Sequence, residues 1–334
     1  MSSFFMDSFT QIVLGVGVAH VTLGNRVGIK KVVLFGAVLG TIPDLDIYIA
    51  KFFNDPLTEI EIHRGFSHSI TFFLLLSIVL AFLLRNFFKE ISQKKLFIAT
   101  FLVLFTHSLL DIFTTWGTQL FWPFADKIAL KSIFVVDLFY TLPLLVGVVM
   151  GLSKRRKYFT YIGLLWGVLY LIWGIAVQQF VKNKVQNHFE ENYNSKILKI
   201  TTKPTFSNSF LWNIIVQDAS GFYLSDYSIF DSKDVKFQFF PQNNDLLLHI
   251  NDANINRLKN ISENQYTISK ENNGFIFNDL RFGLLKNNPN EIQFAFSYRL
   301  TPTENGYVVT EIPKNKRDGV QLLKNLWRRL LNQS

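Results

Sequence analysis

The stretch YFTYIGLLWGVLYLIWGIAVQQFV, residues 158–181, contains no charged side chain. A helix of this length rises about 36 Å, which is enough to cross the hydrocarbon core of a bilayer, about 30 Å thick. Uncharged runs of 18 residues or more are typical of membrane-spanning helices. The run therefore predicts a transmembrane helix and places the chain among the integral membrane proteins.

Five shorter apolar runs precede this helix, at Phe9–Gly24, Val32–Ile42, Ile70–Leu84, Leu96–Leu110 and Ile133–Leu152. The last of them carries a single charge, Asp137, and predicts a second span. The third and fourth have about 15 residues each, so each predicts either a tilted span or a buried helix. The first two contain glycines, which allow close helix packing. Residues 1–181 therefore predict an all-α membrane bundle with about four to six membrane-embedded helices.

The composition changes after Lys182. Residues 182–334 are rich in Asn, Lys and Ser, and short apolar or alternating stretches lie between turn signals. The last predicted helix is basic and amphipathic, which fits either packing on its own domain or binding to a membrane surface. The pattern predicts an α+β domain, mostly antiparallel β, with possible helices at Asn243–Lys259 and Gly319–Gln333. Examples of the predicted strands are Asp234–Phe240, Gly274–Leu280, Glu291–Leu300 and Gly306–Ile312.

The positive charge of the first half lies mainly in turns between apolar runs. The turn Lys154-Arg155-Arg156-Lys157 joins two predicted spans, so the positive-inside rule places it in the cytoplasm. Alternation of the spans brings the basic turns around Arg26 and Arg85 to the same side. This orientation predicts a multi-pass protein of the inner, cytoplasmic membrane with an extracytoplasmic C-terminal domain. The net charge of +9 then reflects topology, and the predicted partner is the lipid bilayer and not nucleic acid.

Asp and His side chains gather at the opposite, outer end of the predicted bundle. His107 and Asp111 are four residues apart, so a helix presents both on one face. The absence of cysteine excludes thiolate sites, whereas imidazole and carboxylate groups are ligands of Zn²⁺, Fe and Mn. The constellation predicts a site for one or two divalent ions, with candidate ligands Asp44, Asp46, His63, His68, His107, Asp111 and Asp137.

Several of these residues have alternative roles. Asp44 and Asp46 would point to opposite sides of an extended segment, so only one of them is expected to face the site. Asp137 could instead form an ion pair with a lysine of the preceding loop. Asp7, at the outer end of the first predicted helix, is either a further site residue or an N-cap.

Such a site has a chemical use. Water on a bound metal ion is a nucleophile near neutral pH, which is the basis of metal-assisted ester hydrolysis. His63, His68 and Asp46 are the candidates for moving protons, and Arg64 is the candidate for steering or clamping a phosphate. Ser67 adjoins His68, but adjacent residues rarely share triad geometry, so a serine hydrolase is disfavoured.

The sequence resembles the YdjM-like family of membrane proteins in six segments, which occur in order over about the first 150 residues: Met6–Gln11, Gly36–Asp46, His63–Ser69, His107–Asp111, Thr114–Phe124 and Val136–Thr141. The resemblance implies a metal-dependent hydrolase, distantly similar to zinc-dependent phospholipase C and the P1-type nucleases, which cleave phosphodiesters. It also implies zinc, with ligands from Asp44 or Asp46, from His63 or His68, and from His107 with Asp111.

We therefore expect a membrane-bound, metal-dependent hydrolase that acts on a phosphoester. A lipid-derived substrate is favoured because the predicted site opens at the bilayer surface. No histidine lies between His107 and His188, so the expected number of zinc ions is one or two, with Asp137 as an additional ligand. The alternative is a non-catalytic membrane protein in which a metal or polar cluster stabilises the helices and the β domain binds a partner.

Overall fold

The computed structural model describes residues 2–24, 26–53, 55–232, 235–284, 293–304, 306–313 and 319–331, without the side chains of residues 2–7 and 319–323. The candidate Asp7 therefore lies in a described helix, but its side chain is outside the described part of the chain. The chain forms two compact units. The first comprises Met1–Asn54, Glu61–Ala176 and Phe206–Ser209, and the second comprises Asp55–Ile60, Val177–Thr205 and Phe210–Ser334.

The N-terminal part of the chain is helical. Among the described residues, four short 3₁₀ turns separate some of its helices: Pro43–Leu45, Lys51–Phe53, Phe66–His68 and Leu84–Asn86. The helices are α1 (Ser2–Leu23), α2 (Ile29–Thr41), α3 (Asp46–Ala50), α4 (Pro56–Ile62), α5 (Ile70–Leu83), α6 (Gln93–Ile112), α7 (Leu138–Ser153) and α8 (Lys157–Asn192).

Helices α1 and α2 approach each other closely through glycine. A Cβ atom on Gly36 would lie 2.4 Å from the Cα atom of Val16, and one on Gly40 would lie 2.7 Å from the carbonyl oxygen of Gln11. Neither distance is compatible with a side chain, so the two backbones can pack this tightly only with glycine at these positions. The close packing fixes α2, and therefore the segment that follows it, against α1.

Within the described ranges, two to four helical segments are long and apolar enough to cross a membrane. Helices α6 and α8 qualify alone. Two bent pairs qualify if each is counted as one broken span or re-entrant loop: Ile29–Thr41 with Pro43–Phe53, bent by 46°, and Pro56–His68 with Ile70–Asn86, bent by 60°. Shorter apolar helices occupy Ser8–Leu23 and Leu138–Ser153. The prediction of a helical region with candidate membrane spans is confirmed, and the number of four to six membrane-embedded helices stays a prediction.

Helix α7 is shorter than the predicted span Ile133–Leu152. It begins only at Leu138, because the Asp137 side chain accepts hydrogen bonds from the backbone N–H groups of Phe139 and Tyr140. This is the N-cap arrangement, in which a carboxylate takes up N–H groups that have no partner within the helix. Asp137 was expected about one turn inside the helix and instead defines where it starts.

The C-terminal domain contains two four-stranded antiparallel sheets, as the predicted mostly β character requires. Strands β4, β6, β7 and β8 overlap the four stretches given as examples, and β1, β2, β3 and β5 lie outside those stretches. The first sheet has the order β1 (Lys199–Pro204), β2 (Leu211–Gln217), β3 (Gly221–Ser228) and β4 (Gln238–Pro241). The second has the order β5 (Tyr266–Glu271), β6 (Gly274–Leu284), β7 (Phe294–Thr303) and β8 (Gly306–Glu311).

Helices complete the core of each sheet. The end of α8 packs on the first sheet, where Val181, Val185 and Phe189 are fully buried together with Trp212. Helix α9 (Ala253–Ile261) packs on the second sheet. It begins after Asp252, which accepts the N–H of Ile255, so the predicted helix Asn243–Lys259 is interrupted there. Helix α10 (Gly319–Leu330) is the last element.

Candidate metal centre

Four buried side chains of the helical unit bring their donor atoms together. One imidazole nitrogen or carboxylate oxygen from each lies within 4.8 Å of the other three, an arrangement that could hold a metal ion. His68 Nε2 lies 3.4 Å from Asp44 Oδ1 and 3.4 Å from Asp111 Oδ2. His107 Nε2 lies 3.3 Å and 3.4 Å from the same two oxygens. The side chains are between 0% and 6% exposed. We call these four residues, Asp44, His68, His107 and Asp111, the donor cluster.

Breaks in the helices place three parts of the chain around the cluster. His107 and Asp111 project from one face of α6 near its C-terminal end. Asp44 lies in the 3₁₀ turn Pro43–Leu45, where α2 gives way to α3. His68 lies in the 3₁₀ turn Phe66–His68 before α5. The bends that interrupt two candidate spans therefore supply the other two donors.

The tautomers of both histidines are determined by their neighbours. His107 Nδ1 lies 2.7 Å from the carbonyl oxygen of Gly40, which can only accept a hydrogen bond, so Nδ1 carries the proton. Ser67 Oγ donates to Asp46 Oδ2 at 2.7 Å, so it must accept from His68 Nδ1 at 2.9 Å. In the neutral form of each ring, the lone pair is therefore on Nε2 and faces the donor cluster. This is the orientation that metal-binding histidines adopt when another group accepts their second N–H.

Three atoms of the donor cluster are buried without a hydrogen-bond partner among the described residues. They are His68 Nε2, His107 Nε2 and Asp111 Oδ2. Lone pairs that face carboxylate oxygens repel them, and burying polar atoms without partners is costly. The arrangement requires positive charge at its centre, supplied either by protons on the imidazoles or by a cation. A metal ion would satisfy all three atoms at once.

Asp111 presents only one of its oxygens to the cluster. Its Oδ1 accepts a hydrogen bond from Gln11 Nε2 at 3.0 Å and lies 3.4 Å from Arg64 Nη2. Arg64 Nη1 donates to Thr114 Oγ1 at 2.8 Å, and the arginine is only 3% exposed. The structure therefore places this guanidinium beside Asp111, where it balances negative charge and has little access to solvent.

Asp46 and His63 form a second layer beside the donor cluster. Asp46 Oδ1 lies 2.9 Å from His63 Nδ1, and its Oδ2 accepts from the backbone N–H of Arg64 and from Ser67 Oγ. Asp46 Oδ2 is also 3.5 Å from His68 Nδ1. The His63 side chain is 27% exposed. The two candidates Asp46 and His63 thus lie next to the four clustered donors and are not part of them.

Asp137 forms its hydrogen bonds outside the donor cluster, in another part of the helical unit. Besides capping α7, both of its carboxylate oxygens lie 2.9 Å from the hydroxyl of Tyr170, which is also 3.0 Å from Ser209 Oγ. Burial of the carboxylate raises the pKa of Asp137 to about 6. Among the described residues, Asp137 is not one of the four donors that lie together.

Three contributors to the site were not predicted. Gln11 orients Asp111, Ser67 orients His68, and the Gly40 carbonyl orients His107. A signal for the first exists in the sequence, because Gln11 is a lone amide in an otherwise apolar run. The other two act through hydrogen bonds that depend on the tertiary fold, so spacing alone does not reveal them.

Comparisons with known proteins identify the first half of the chain as similar to inner membrane proteins. The family model described as YdjM inner membrane protein matches residues 6–181. The uncharacterized protein YfhP of Bacillus subtilis is 27% identical over 226 residues, which are 66% of this chain and 67% of YfhP. The inner membrane protein YbcI of Escherichia coli is 32% identical over 108 residues, which are 31% of this chain and 61% of YbcI. No solved structure matches the chain.

Proposed function

The chain belongs to the YdjM inner membrane protein family, and from this premise we propose that it is a membrane-embedded, metal-dependent hydrolase of phosphoesters. The proposal has three parts: the ion, the residues that move protons, and the substrate. The observation that carries it is the donor cluster, in which buried nitrogen and oxygen atoms face one another without other partners.

The donor types and the four printed nitrogen–oxygen distances are compatible with zinc. Ligands of a tetrahedral Zn²⁺ ion with bonds of about 2.0–2.1 Å are separated by about 3.3–3.4 Å. The four nitrogen–oxygen distances in the cluster are 3.3, 3.4, 3.4 and 3.4 Å. Two carboxylates also match the charge of a divalent cation. We therefore propose one zinc ion held by the donor cluster.

The second layer supplies the proton chemistry. When bound, the zinc ion would lower the pKa of water and polarise a phosphoryl oxygen. The Asp46 carboxylate holds the proton on Nδ1 of His63, which leaves His63 Nε2 free to accept a proton from water or to give one to a leaving group. Because His63 is partly exposed, it is the residue of the pair that can reach a substrate.

A phosphoester at the bilayer surface is the substrate class that we propose. Support comes from the resemblance to zinc-dependent phospholipase C and from the candidate spans that carry the donors. Asp44 and His68 lie at the bends of two broken candidate spans. A lipid-derived phosphoester can reach such a site laterally through the bilayer.

A second function, in which the metal stabilises the fold and does no chemistry, is favoured by one observation. The donor cluster consists of four buried protein donors, and structural zinc sites typically have four protein ligands. Catalytic zinc sites usually keep one position for water, so hydrolysis here requires a fifth ligand position. The β domain would then carry the function by binding a partner.

Metal analysis and turnover separate these functions. Protein purified in detergent should contain about one zinc ion per chain, and His107→Ala combined with Asp111→Ala should remove it. His20→Ala is the matched control, because His20 is also buried in the helical unit but bonds to Thr160 Oγ1. Loss of zinc in the control, or a metal-free wild-type protein whose thermal stability does not respond to Zn²⁺, would contradict the metal site.

The variant His63→Asn tests catalysis separately. It leaves the donor cluster intact, so zinc content should be unchanged. Hydrolysis of phosphodiester and phospholipid substrates should fall about 10²–10⁴-fold. A zinc-loaded wild-type protein that turns over neither class of substrate would leave the structural role as the function of the metal.

Topology and domain division complete the proposal. We propose a multi-pass inner membrane protein with a helical membrane domain over residues 1–181 and an extracytoplasmic domain over residues 182–334. The basic turn Lys154-Arg155-Arg156-Lys157 supports a cytoplasmic position for the start of α8. A reporter fused after Ser334 should read as extracytoplasmic. A cytoplasmic reading would reverse the orientation without affecting the metal site.

A further inference from the structure

The surface formed by the last turns of α10 and the turn after β3 combines exposed apolar and basic side chains. Its apolar members are Phe230, Trp327 and Leu331, which are 56%, 48% and 52% exposed. Its basic members are Lys324 and Arg328, and both side chains are exposed. We call these five residues the α10 patch.

Contacts inside the second unit hold the α10 patch in place. Arg329 Nη1 and Nη2 donate to the two carboxylate oxygens of Asp231 at 2.8 and 2.7 Å. Ser228 Oγ donates to the carbonyl oxygen of Leu330 at 2.8 Å. Because Phe230 lies between Ser228 and Asp231, these bonds bring it beside the end of the helix. Packing of α10 on its own domain therefore uses Arg329 and Leu330 and leaves the patch uncovered.

The composition of the patch matches the surface of an anionic bilayer. Aromatic side chains such as Trp are enriched at the level of the lipid headgroups, and Lys and Arg are attracted to anionic lipids. Trp327 and Leu331 are four residues apart and lie on one face of the helix, joined by the backbone bond from the N–H of Leu331 to the carbonyl of Trp327. Arg328 and Lys324 add two positive charges next to that face.

The first sheet of the C-terminal domain, from which β3 leads to Phe230, packs on helix α8. The uncharged run of α8 ends at Val181, and Val177, Val181 and Val185 belong to the core of the first sheet. Tyr227, the residue before Ser228, is part of the same core. The sheet therefore packs on the last turn of the apolar run, where a spanning helix reaches the headgroups, and the α10 patch adjoins that sheet.

We propose that the α10 patch docks on the headgroup region of the membrane in which α8 is anchored and binds anionic lipid there. Docking would insert Phe230, Trp327 and Leu331 among the headgroups and place Lys324 and Arg328 against the lipid phosphates. This inference does not depend on the proposed hydrolase activity. It also does not depend on which side of the membrane the domain occupies.

The absence of cysteine makes a direct test possible. A single cysteine at Leu331→Cys would carry an environment-sensitive fluorophore in the full-length protein, reconstituted into vesicles with a headgroup-level lipid quencher. Val308→Cys is the matched control, because Val308 is 51% exposed but lies on β8 of the other sheet. Vesicles of phosphatidylcholine alone are compared with vesicles of equal parts phosphatidylcholine and phosphatidylglycerol.

The expected result is quenching at position 331, stronger in the anionic vesicles, with position 308 unquenched. Lys324→Gln combined with Arg328→Gln should weaken docking about fivefold per charge, and added salt should do the same. Equal quenching at both positions, or none at position 331 in either vesicle, would overturn the proposal. The second outcome would instead indicate a patch covered by protein.

Discussion

His107 Nδ1 lies 2.7 Å from the carbonyl oxygen of Gly40. This bond joins α6 to the end of α2 and holds the imidazole with Nε2 toward the donor cluster. Gly40 is also a contact point between α2 and α1, since a Cβ atom there would lie 2.7 Å from the carbonyl oxygen of Gln11. One glycine thus connects the helix packing to the orientation of a candidate metal ligand.

The substitution Gly40→Ala should damage packing and metal binding together. The new Cβ atom must push α1 and α2 apart, which costs about 1–3 kcal/mol of unfolding free energy and moves the acceptor of His107. Gly28→Ala is the control, because no atom lies within 4 Å of a Cβ atom there. Thermal unfolding in detergent and zinc titration measure the two effects. Unchanged zinc affinity in a clearly destabilised Gly40→Ala protein would separate packing from the site.

The substitution Ser67→Ala should weaken metal binding without unfolding the protein. Ser67 Oγ accepts a hydrogen bond from the Nδ1–H of His68 and donates one to Asp46. Loss of such an outer hydrogen bond typically costs about 10–100-fold in metal affinity. Ser69→Ala is the matched control two residues away. Ser69 caps α5 by accepting the N–H of Phe72, so its loss should cost about 1 kcal/mol of stability and leave zinc affinity unchanged. The reverse pattern would refute the assigned roles.

The substitution Arg64→Gln should destabilise the protein strongly. It removes the cation beside Asp111 and leaves a buried carboxylate less compensated, a change that costs about 3–5 kcal/mol. Arg85→Gln is the control, because Arg85 is exposed and donates to backbone carbonyls. Unfolding by denaturant in detergent would show the difference. Equal stability of the two variants would mean that Arg64 does not balance the charge of Asp111.

The stability of the helical unit should depend on Asp137 in mildly acidic solution. Burial raises the pKa of this carboxyl to about 6, from 3.8, so the folded protein holds its proton where the unfolded chain has released it. The stabilising contribution is full below about pH 4 and is lost as pH rises through 6, by about 3 kcal/mol in total. Asp137→Asn should remove this dependence, because the asparagine amide does not titrate. Its amide oxygen can still accept the hydrogen bond from Tyr170. A stability difference between the two proteins that does not change with pH would contradict the expectation.

The sequence predicted the helical membrane region because an uncharged apolar run that is long enough to cross a bilayer as a helix is typical of a transmembrane segment. It also predicted the β character of the second half from turn residues between short apolar stretches. The strands that it did not single out include β2, which is apolar over much of its length and mostly buried. Such a run lacks the alternation that marks a half-buried strand.

The sequence by itself determined which residue types were available for a metal site: three histidines (His63, His68 and His107), several carboxylates and no cysteine. The tertiary structure alone decided how they divide. It brings the donor atoms of Asp44, His68, His107 and Asp111 together. It places Asp46 in hydrogen bonds with His63 and Ser67, and it places Asp137 in a hydrogen bond with Tyr170. The physical reason is that a carboxylate forms hydrogen bonds only with donors that lie within about 3 Å of its oxygens. The helix bends at Pro43–Leu45 and Phe66–His68 set those distances.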